Sequence, residues 1–177
     1  AKVELRPGQT AHHDGHLQRL VGLVLQVHRV EVADHSVLDA VGQALAARLV
    51  PLGMRVMAAD IIVQSETAEK LGLDRLEDPS KLNDMLPEAD FVISTVTLTP
   101  ATKGLFKRTV FERMKPTAFV VNISRGPIVN EEDLLVALNE AQIAGAGLDV
   151  LNQEPPAANH PLVNHAKVVV TPHTAGI

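Results

Sequence analysis

Two spacings in this chain of 177 residues are of types that could do chemistry. Gly42 lies at the start of a helix-forming run, Val41 to Leu49, and Asp60 ends an apolar run 18 residues further on. A phosphate-binding strand-to-helix turn needs glycines so that backbone N–H groups can approach a pyrophosphate, and an acidic residue about 20 positions later holds a ribose diol. With Gly42 as the third glycine of such a turn, Val37 and Asp39 occupy the first two positions. Each carries a Cβ where glycine is wanted, and Asp39 sets a negative charge against phosphate. Unit charges ~4 Å apart at an effective dielectric of ~20 repel by about 4 kcal/mol, so this turn is expected to bind a dinucleotide weakly or not at all. The second spacing is a cluster of His12, His13, His16, His28 and His35 within the first 36 residues. Imidazole is a common metal ligand, but no paired carboxylate spacing accompanies these histidines, so no metal site is expected.

The elements that must position such groups follow from composition and pattern. The chain is 46% apolar, with four Phe and no Tyr or Trp, so its core must be largely aliphatic. That suits a parallel sheet covered on both faces by helices. Short β-branched runs at Met54 to Ala59, Phe91 to Thr95, Ala118 to Ile123, Ala144 to Val150 and Val168 to Thr171 read as strands. Helical segments are expected at Val41 to Leu49, closed by Pro51 and Gly53, and at Pro79 to Leu86 with Ser80 as the cap. A third follows Asn130, whose side chain and the acidic turn Glu131-Glu132-Asp133 precede Leu134 to Leu138. The fold class is therefore α/β, a Rossmann-like, doubly wound, mostly parallel sheet over residues 37–177. Residues 1–36, with the apolar run Leu20 to Leu25, are left unassigned as a linker or an aberrant join.

Net charge is −5, which gives no electrostatic case for nucleic acid or an anionic membrane. There is no cysteine, and no apolar stretch approaches the roughly 20 residues of a membrane span. The N-terminus lacks the basic and apolar blocks of a secretion signal, and a cytoplasmic setting is expected.

Five segments carry a resemblance. They are Leu98-Thr99-Pro100-Ala101-Thr102-Lys103-Gly104-Leu105, the run Val121 to Asn130 containing Asn122-Ile123-Ser124-Arg125-Gly126, Ala146-Gly147-Leu148-Asp149-Val150, Asn152-Gln153-Glu154-Pro155-Pro156, and Thr171-Pro172-His173-Thr174-Ala175-Gly176. In order and spacing they resemble the cofactor-binding domain of the D-2-hydroxyacid dehydrogenases, over residues 42 to 177. The Leu98 to Leu105, Asn122 to Gly126 and Asn159-His160-Pro161-Leu162 wording resembles the glyoxylate and hydroxypyruvate reductases among them. The resemblance implies that Arg125 grips the substrate's carboxylate and carbonyl oxygen with its planar fork. It implies that His173 exchanges a proton with the substrate oxygen while Glu154 orients its ring. Gly42, Asp60, Thr95, Val96, Ile123, Ser124 and Asp149 would bind cofactor, with Asp149 on the nicotinamide amide. Thr97 stands where the family usually has proline. Asp60, with no arginine after it, implies NAD over NADP.

The same resemblance implies a small 2-oxo or 2-hydroxy acid as partner, a homodimer, and a substrate domain largely absent from this chain. It leaves three readings open: a dehydrogenase fragment with little activity alone, an NAD-sensing binding module of the C-terminal-binding corepressor type, or an inactive truncated product.

Overall fold

The computed structural model describes residues 40–175, together with the backbone of residues 21–25. In chain order its strands and α-helices are β1 (Val21–Leu25), α1 (Ala40–Leu49), β2 (Arg55–Ala59), α2 (Ser65–Leu71), β3 (Arg75–Glu77), α3 (Leu82–Met85), β4 (Phe91–Ser94), α4 (Arg108–Phe111), β5 (Phe119–Asn122), α5 (Glu131–Asn139), β6 (Gly145–Leu148) and β7 (Val168–Val170). Among the described residues the strands form one sheet in the order β3-β2-β1-β4-β5-β6-β7, and every pairing is parallel.

The central position of β1 moves one expectation. Val21–Leu25 comes from the segment that sequence left unassigned, yet it pairs with β2 on one side and β4 on the other. An uncharged run of five Val, Leu and Gly residues suits a strand paired on both edges, since a central strand of a parallel sheet is typically apolar. The expected boundary at residue 37 therefore cuts through the sheet. Val37 and Asp39, the histidine cluster and Gly176 lie outside the described residues.

Both faces of the sheet are used, as β2 demonstrates. Val56 and Ala58 pack with Ala46, Leu45 and Leu49 of α1, whereas Met57 and Ala59 belong to the main core with Leu86, Phe106 and Leu134. Successive side chains of a strand point to opposite faces, so the two clusters lie on opposite sides of one layer. The main core is mostly aliphatic, as expected, but Phe106 and Phe111 are among its largest fully buried side chains. On the α1 face the helical cover stops short of β5 and β7, where Phe119 and Val169 are exposed.

Local chemistry explains the helix ends. Asn130 caps α5, its side chain accepting the Asp133 N–H at 3.0 Å. The start of the 79–86 segment differs from expectation: Asp78, rather than Ser80, is the cap, accepting the Ser80 N–H at 2.9 Å. Pro79 then takes the first helical position, which needs no N–H donor. The segment is a 3₁₀ turn, Pro79–Lys81, running into α3. Three elements, α2, β3 and α4, were not expected at all. α2 (SETAEKL) buries no residue and β3 and α4 are very short, so none carries an apolar period to read.

Candidate functional site

In an all-parallel sheet the carboxyl ends of the strands share one edge. A single register row closes that edge here: Ala59, Leu25, Ser94, Asn122, Leu148 and Val170 are paired in turn. One residue further along the chain from that row stand Asp60, Thr95, Ile123, Asp149 and Thr171. The sheet thus gathers at one edge positions that are spread over 111 residue numbers of sequence, from Asp60 to Thr171.

The chain winds outward from β1 through β2 to β3, then returns to β4 on the other side of β1 and winds outward to β7. The strand that follows β1 lies on one side of the β1–β4 pair and the strand that follows β4 on the other, and at such a switch point a crevice opens. A cavity of about 320 Å³ lies there, lined by Val41 from the first turn of α1, Thr95, Val96, Ile123, Ser124 and Arg125 among others. Gly42 is buried in that same first turn. Asp60 is buried at the end of β2, and its Oδ1 accepts the Ile62 N–H at 2.9 Å.

The Arg125 turn is built by Asn122, a buried polar residue at the last position of β5. Asn122 Nδ2 donates to the Arg125 carbonyl at 3.0 Å, and its Oδ1 accepts the Ser124 N–H at 3.1 Å. The buried hydroxyls of Ser94 and Ser124 lie 2.9 Å apart, tying the ends of β4 and β5. The Arg125 guanidinium, exposed to solvent, donates to the Ser124 carbonyl at 2.6 Å. No carboxylate among the described residues pairs with it.

Gly126, next along, is a position where only glycine fits. A Cβ there would lie 2.1 Å from both the carbonyl carbon and the oxygen of Leu151. That close approach lays the Arg125 turn directly on the segment leading to Glu154. Glu154 folds back so that Oε1 accepts the Leu151 N–H at 3.0 Å, while Oε2 lies 2.7 Å from His173 Nδ1. The hydrogen bond from His173, then that from Leu151, hold the Glu154 carboxyl below its ordinary pKa, against a smaller opposing effect of burial. The His173 side chain is 48% exposed, and its Nε2 has no partner among the described residues.

His173 has φ of +55°, uncommon for a residue with a Cβ. Asp149 holds it there. The Asp149 carboxylate accepts bonds from the Thr171 hydroxyl and from the Thr174 and Ala175 N–H groups, the last two at 2.9 Å. Burial raises the Asp149 pKa, but the Thr171 hydroxyl, the Ala175 and Thr174 amides and the nearby His173 outweigh it, and the net shift is downward. Sequence assigned Asp149 to a nicotinamide amide. Three of the roughly four lone-pair sites of its carboxylate are used inside the chain, leaving about one for a ligand.

The structure therefore brings Glu154 and His173 into direct contact, with Asp149 beneath the loop that carries His173. Arg125 stands two strands away, at the end of β5 against β7, a separation of about 10 Å between strand axes. Asn122, Ser94 and Thr171 were not singled out from sequence as positioning groups. A readable signal existed for two of them: Ser94 and Asn122 are polar residues ending otherwise apolar buried strands.

A doubly wound parallel sheet with a crevice at its switch point and an acid at the end of β2 defines a dinucleotide-binding α/β domain. The chain belongs to the D-isomer specific 2-hydroxyacid dehydrogenase family, whose NAD binding domain it matches over residues 37–175. It is similar to a human protein named glyoxylate reductase/hydroxypyruvate reductase, 39% identical over 137 residues that make up 77% of this chain and 40% of that one. It is also similar to D-3-phosphoglycerate dehydrogenase of Methanocaldococcus jannaschii, 36% identical over 77% of this chain and 25% of that one. A solved D-isomer specific 2-hydroxyacid dehydrogenase from Xanthobacter autotrophicus Py2, in complex with NADPH and MES, superposes with a TM-score of 0.73 at 28% identity, covering 88% of this chain and 44% of that chain. The chain thus spans at most about 40% of the length of these two curated relatives. NAD is the cofactor of the matched domain. The described residues fit it: a buried carboxylate without a basic neighbour at Ile61, Ile62 or Val63, and a crevice floored by the β4 and β5 ends. No helix among the described residues is long and apolar enough to cross a membrane.

Proposed function

We propose that this chain is the cofactor-binding part of an enzyme that interconverts a small 2-oxo acid and its D-2-hydroxy acid, of the glyoxylate or hydroxypyruvate type. The observation that carries the reading is the 2.7 Å contact between His173 Nδ1 and Glu154, at the strand edge where the crevice opens. A carboxylate on Nδ1 fixes the imidazole's orientation, leaving Nε2–H to face a substrate oxygen.

When bound, the dinucleotide supplies hydride to the carbonyl carbon, or accepts it in the reverse direction. In reduction His173 gives its Nε2 proton to the carbonyl oxygen and becomes neutral; in oxidation it takes that proton back. Arg125, with no carboxylate partner of its own among the described residues, binds the substrate carboxylate through its fork. Thr95, Val96, Ile123 and Ser124 line the crevice, and Asp60 receives the ribose hydroxyls, which disfavours a 2′-phosphate. Asp149 keeps His173 in place and has about one site left for an amide.

The chain holds one wall of the crevice, and in a protein of the length of its relatives the rest of the chain would supply the other. With that wall alone little activity is expected, since an open site cannot exclude water. A homodimer and a cytoplasmic setting belong to the same reading, and sedimentation tests the first. The main test is loss of reduced-nicotinamide absorbance on adding glyoxylate or hydroxypyruvate. Turnover that His173→Asn abolishes supports the reading; turnover that survives it overturns the proton assignment. Calorimetric titration of NAD into the chain and into a Val37→Gly, Asp39→Gly double variant tests the phosphate turn. Micromolar binding by the original chain would refute the weak-binding expectation.

A further inference from the structure

We infer that Glu131 is a positioning residue for the Glu154–His173 pair, holding the Glu154 segment in place from the first turn of α5. The chemistry it serves rests on the dehydrogenase reading; its geometry does not.

A glutamate in the first turn of a helix ordinarily faces water and favours the helix dipole. Glu131 does otherwise. Its Oε1 accepts the Asn152 N–H at 2.8 Å, and its Oε2 lies 3.4 Å from His160 Nε2. The Glu131 and His160 side chains are only 18% and 15% exposed, so this contact is shielded from solvent. The other acidic side chain of that turn with a resolved partner acts elsewhere: Asp133 accepts the Arg108 N–H at 2.9 Å, at the start of α4. Of the three, Glu131 is the one bonded to the Glu154 segment.

Asn152 stands two residues before Glu154, so the orientation of its peptide unit is passed on through two further peptide planes. The segment is held on three sides. Gly126 lies against the Leu151–Asn152 backbone, Glu154 itself accepts from Leu151 N–H, and Glu131 takes the next N–H along. His160 fixes the far side of Glu131 and is itself tied down, since its carbonyl accepts from Asn164 Nδ2 at 3.1 Å. Without Glu131 the Asn152 N–H loses its acceptor. The segment can then rotate, carrying Glu154 Oε2 away from His173.

The test uses the 177-residue chain, with the Glu154 side-chain carboxyl titrated by carbon NMR and the Asn152 amide followed by hydrogen exchange. In Glu131→Ala the Glu154 midpoint should shift up toward the ordinary carboxylate value, and Asn152 should exchange about tenfold faster as local opening becomes easier. Glu131→Gln keeps an oxygen for Asn152 and should restore both readings. Should Glu131→Ala fail to fold, Glu131→Asp, which withdraws the acceptor by one methylene, is expected to show the same two changes. An unchanged Glu154 midpoint in folded Glu131→Ala, or in Glu131→Asp if Ala fails, overturns the proposal, because loss of helix stability alone leaves that midpoint where it was. A His173→Asn control separates the two claims. If the Glu154 midpoint stays low in that control, the acid–base pair of the dehydrogenase reading fails. If it rises there but not in the Glu131 variants, only the positioning role fails.

Discussion

The two ends of the sheet are both charged, and they use charge differently. At the amino end Arg55 and Arg75 converge on Glu88, at 2.8 and 2.6 Å, and Asp74 lies 3.5 Å from Arg55. Lys115 and Asp90 pair at 2.8 Å beside them. Each of these cations is matched by a carboxylate, and each joins segments distant in sequence. At the carboxyl end Arg125 meets, among the described residues, a neighbouring carbonyl and no carboxylate, and the His173–Glu154 pair is half-exposed on a loop with a left-handed backbone. One end spends its charges on holding strands together. The other keeps a cation and an imidazole nitrogen available, and fixes them with backbone bonds and buried polar side chains instead. The difference teaches where to look for function in such a sheet: at the edge whose charges are positioned but not neutralised.

This contrast can be broken most severely at Gly126. Gly126→Ala forces a Cβ into the Leu151 carbonyl and should lower stability by about 3 kcal/mol or more, read as a fall in the denaturant midpoint. A near-neutral result would mean that the two carboxyl-end loops are not in contact. Next in size is the amino end. Glu88→Ala removes a carboxylate shared by two arginines, and about 1 kcal/mol of stability should go with it, since the group is partly solvated and screened. Dinucleotide affinity should not change; a drop in affinity would show that the two ends are coupled.

Acid should loosen both ends by a smaller, graded amount. The Arg75 hydrogen bond holds Glu88 below its ordinary value, and Asp149 and Glu154 are also held low. For a depressed carboxylate the stabilisation is full above the unfolded-state pKa and disappears as pH falls through the folded one. Melting temperature should therefore hold level down to the ordinary carboxylate range and decline below it. In a Glu88→Gln background the remaining decline reports Asp149, Glu154 and the Asp78 cap, which its hydrogen bonds with Ser80 also hold low, and its disappearance there would assign the whole effect to the amino end. The smallest stability change is expected from Arg125→Ala, within about 0.5 kcal/mol, because the side chain is exposed and unpaired with any described carboxylate. Binding of a small carboxylic acid such as oxamate should nonetheless be lost. A large stability loss without a binding change would make Arg125 structural.

Much of this was legible from residues. The strands from β2 onward, except β3, follow from apolar runs with turn residues between them, because burial on both faces leaves a mark on composition. The Asn130 cap and the order of the site segments are also local properties of the sequence. Besides α2, β3 and α4, two further features were not. Val21–Leu25 reads as an isolated apolar run in a segment with no other pattern, and its place at the centre of the sheet exists only through pairing with β2 and β4. Ser80 looked like a cap, and Asp78 won because a proline at the next position suits the first helical turn.

The sequence by itself determined which residue types the site contains and on which strand ends they lie, because alternation and turn chemistry act over a few neighbours. Tertiary structure alone decided what Asp149 and Glu131 bond to and what Gly126 lies against. Asp149 closes the His173 loop, Glu131 reaches across to Asn152, and Gly126 lies against Leu151. These partners are 25, 21 and 25 residues apart in the chain, and no periodicity reaches across such gaps. The parallel sheet brings them together by setting the ends of β5, β6 and β7 side by side, about 4.8 Å from one strand to the next.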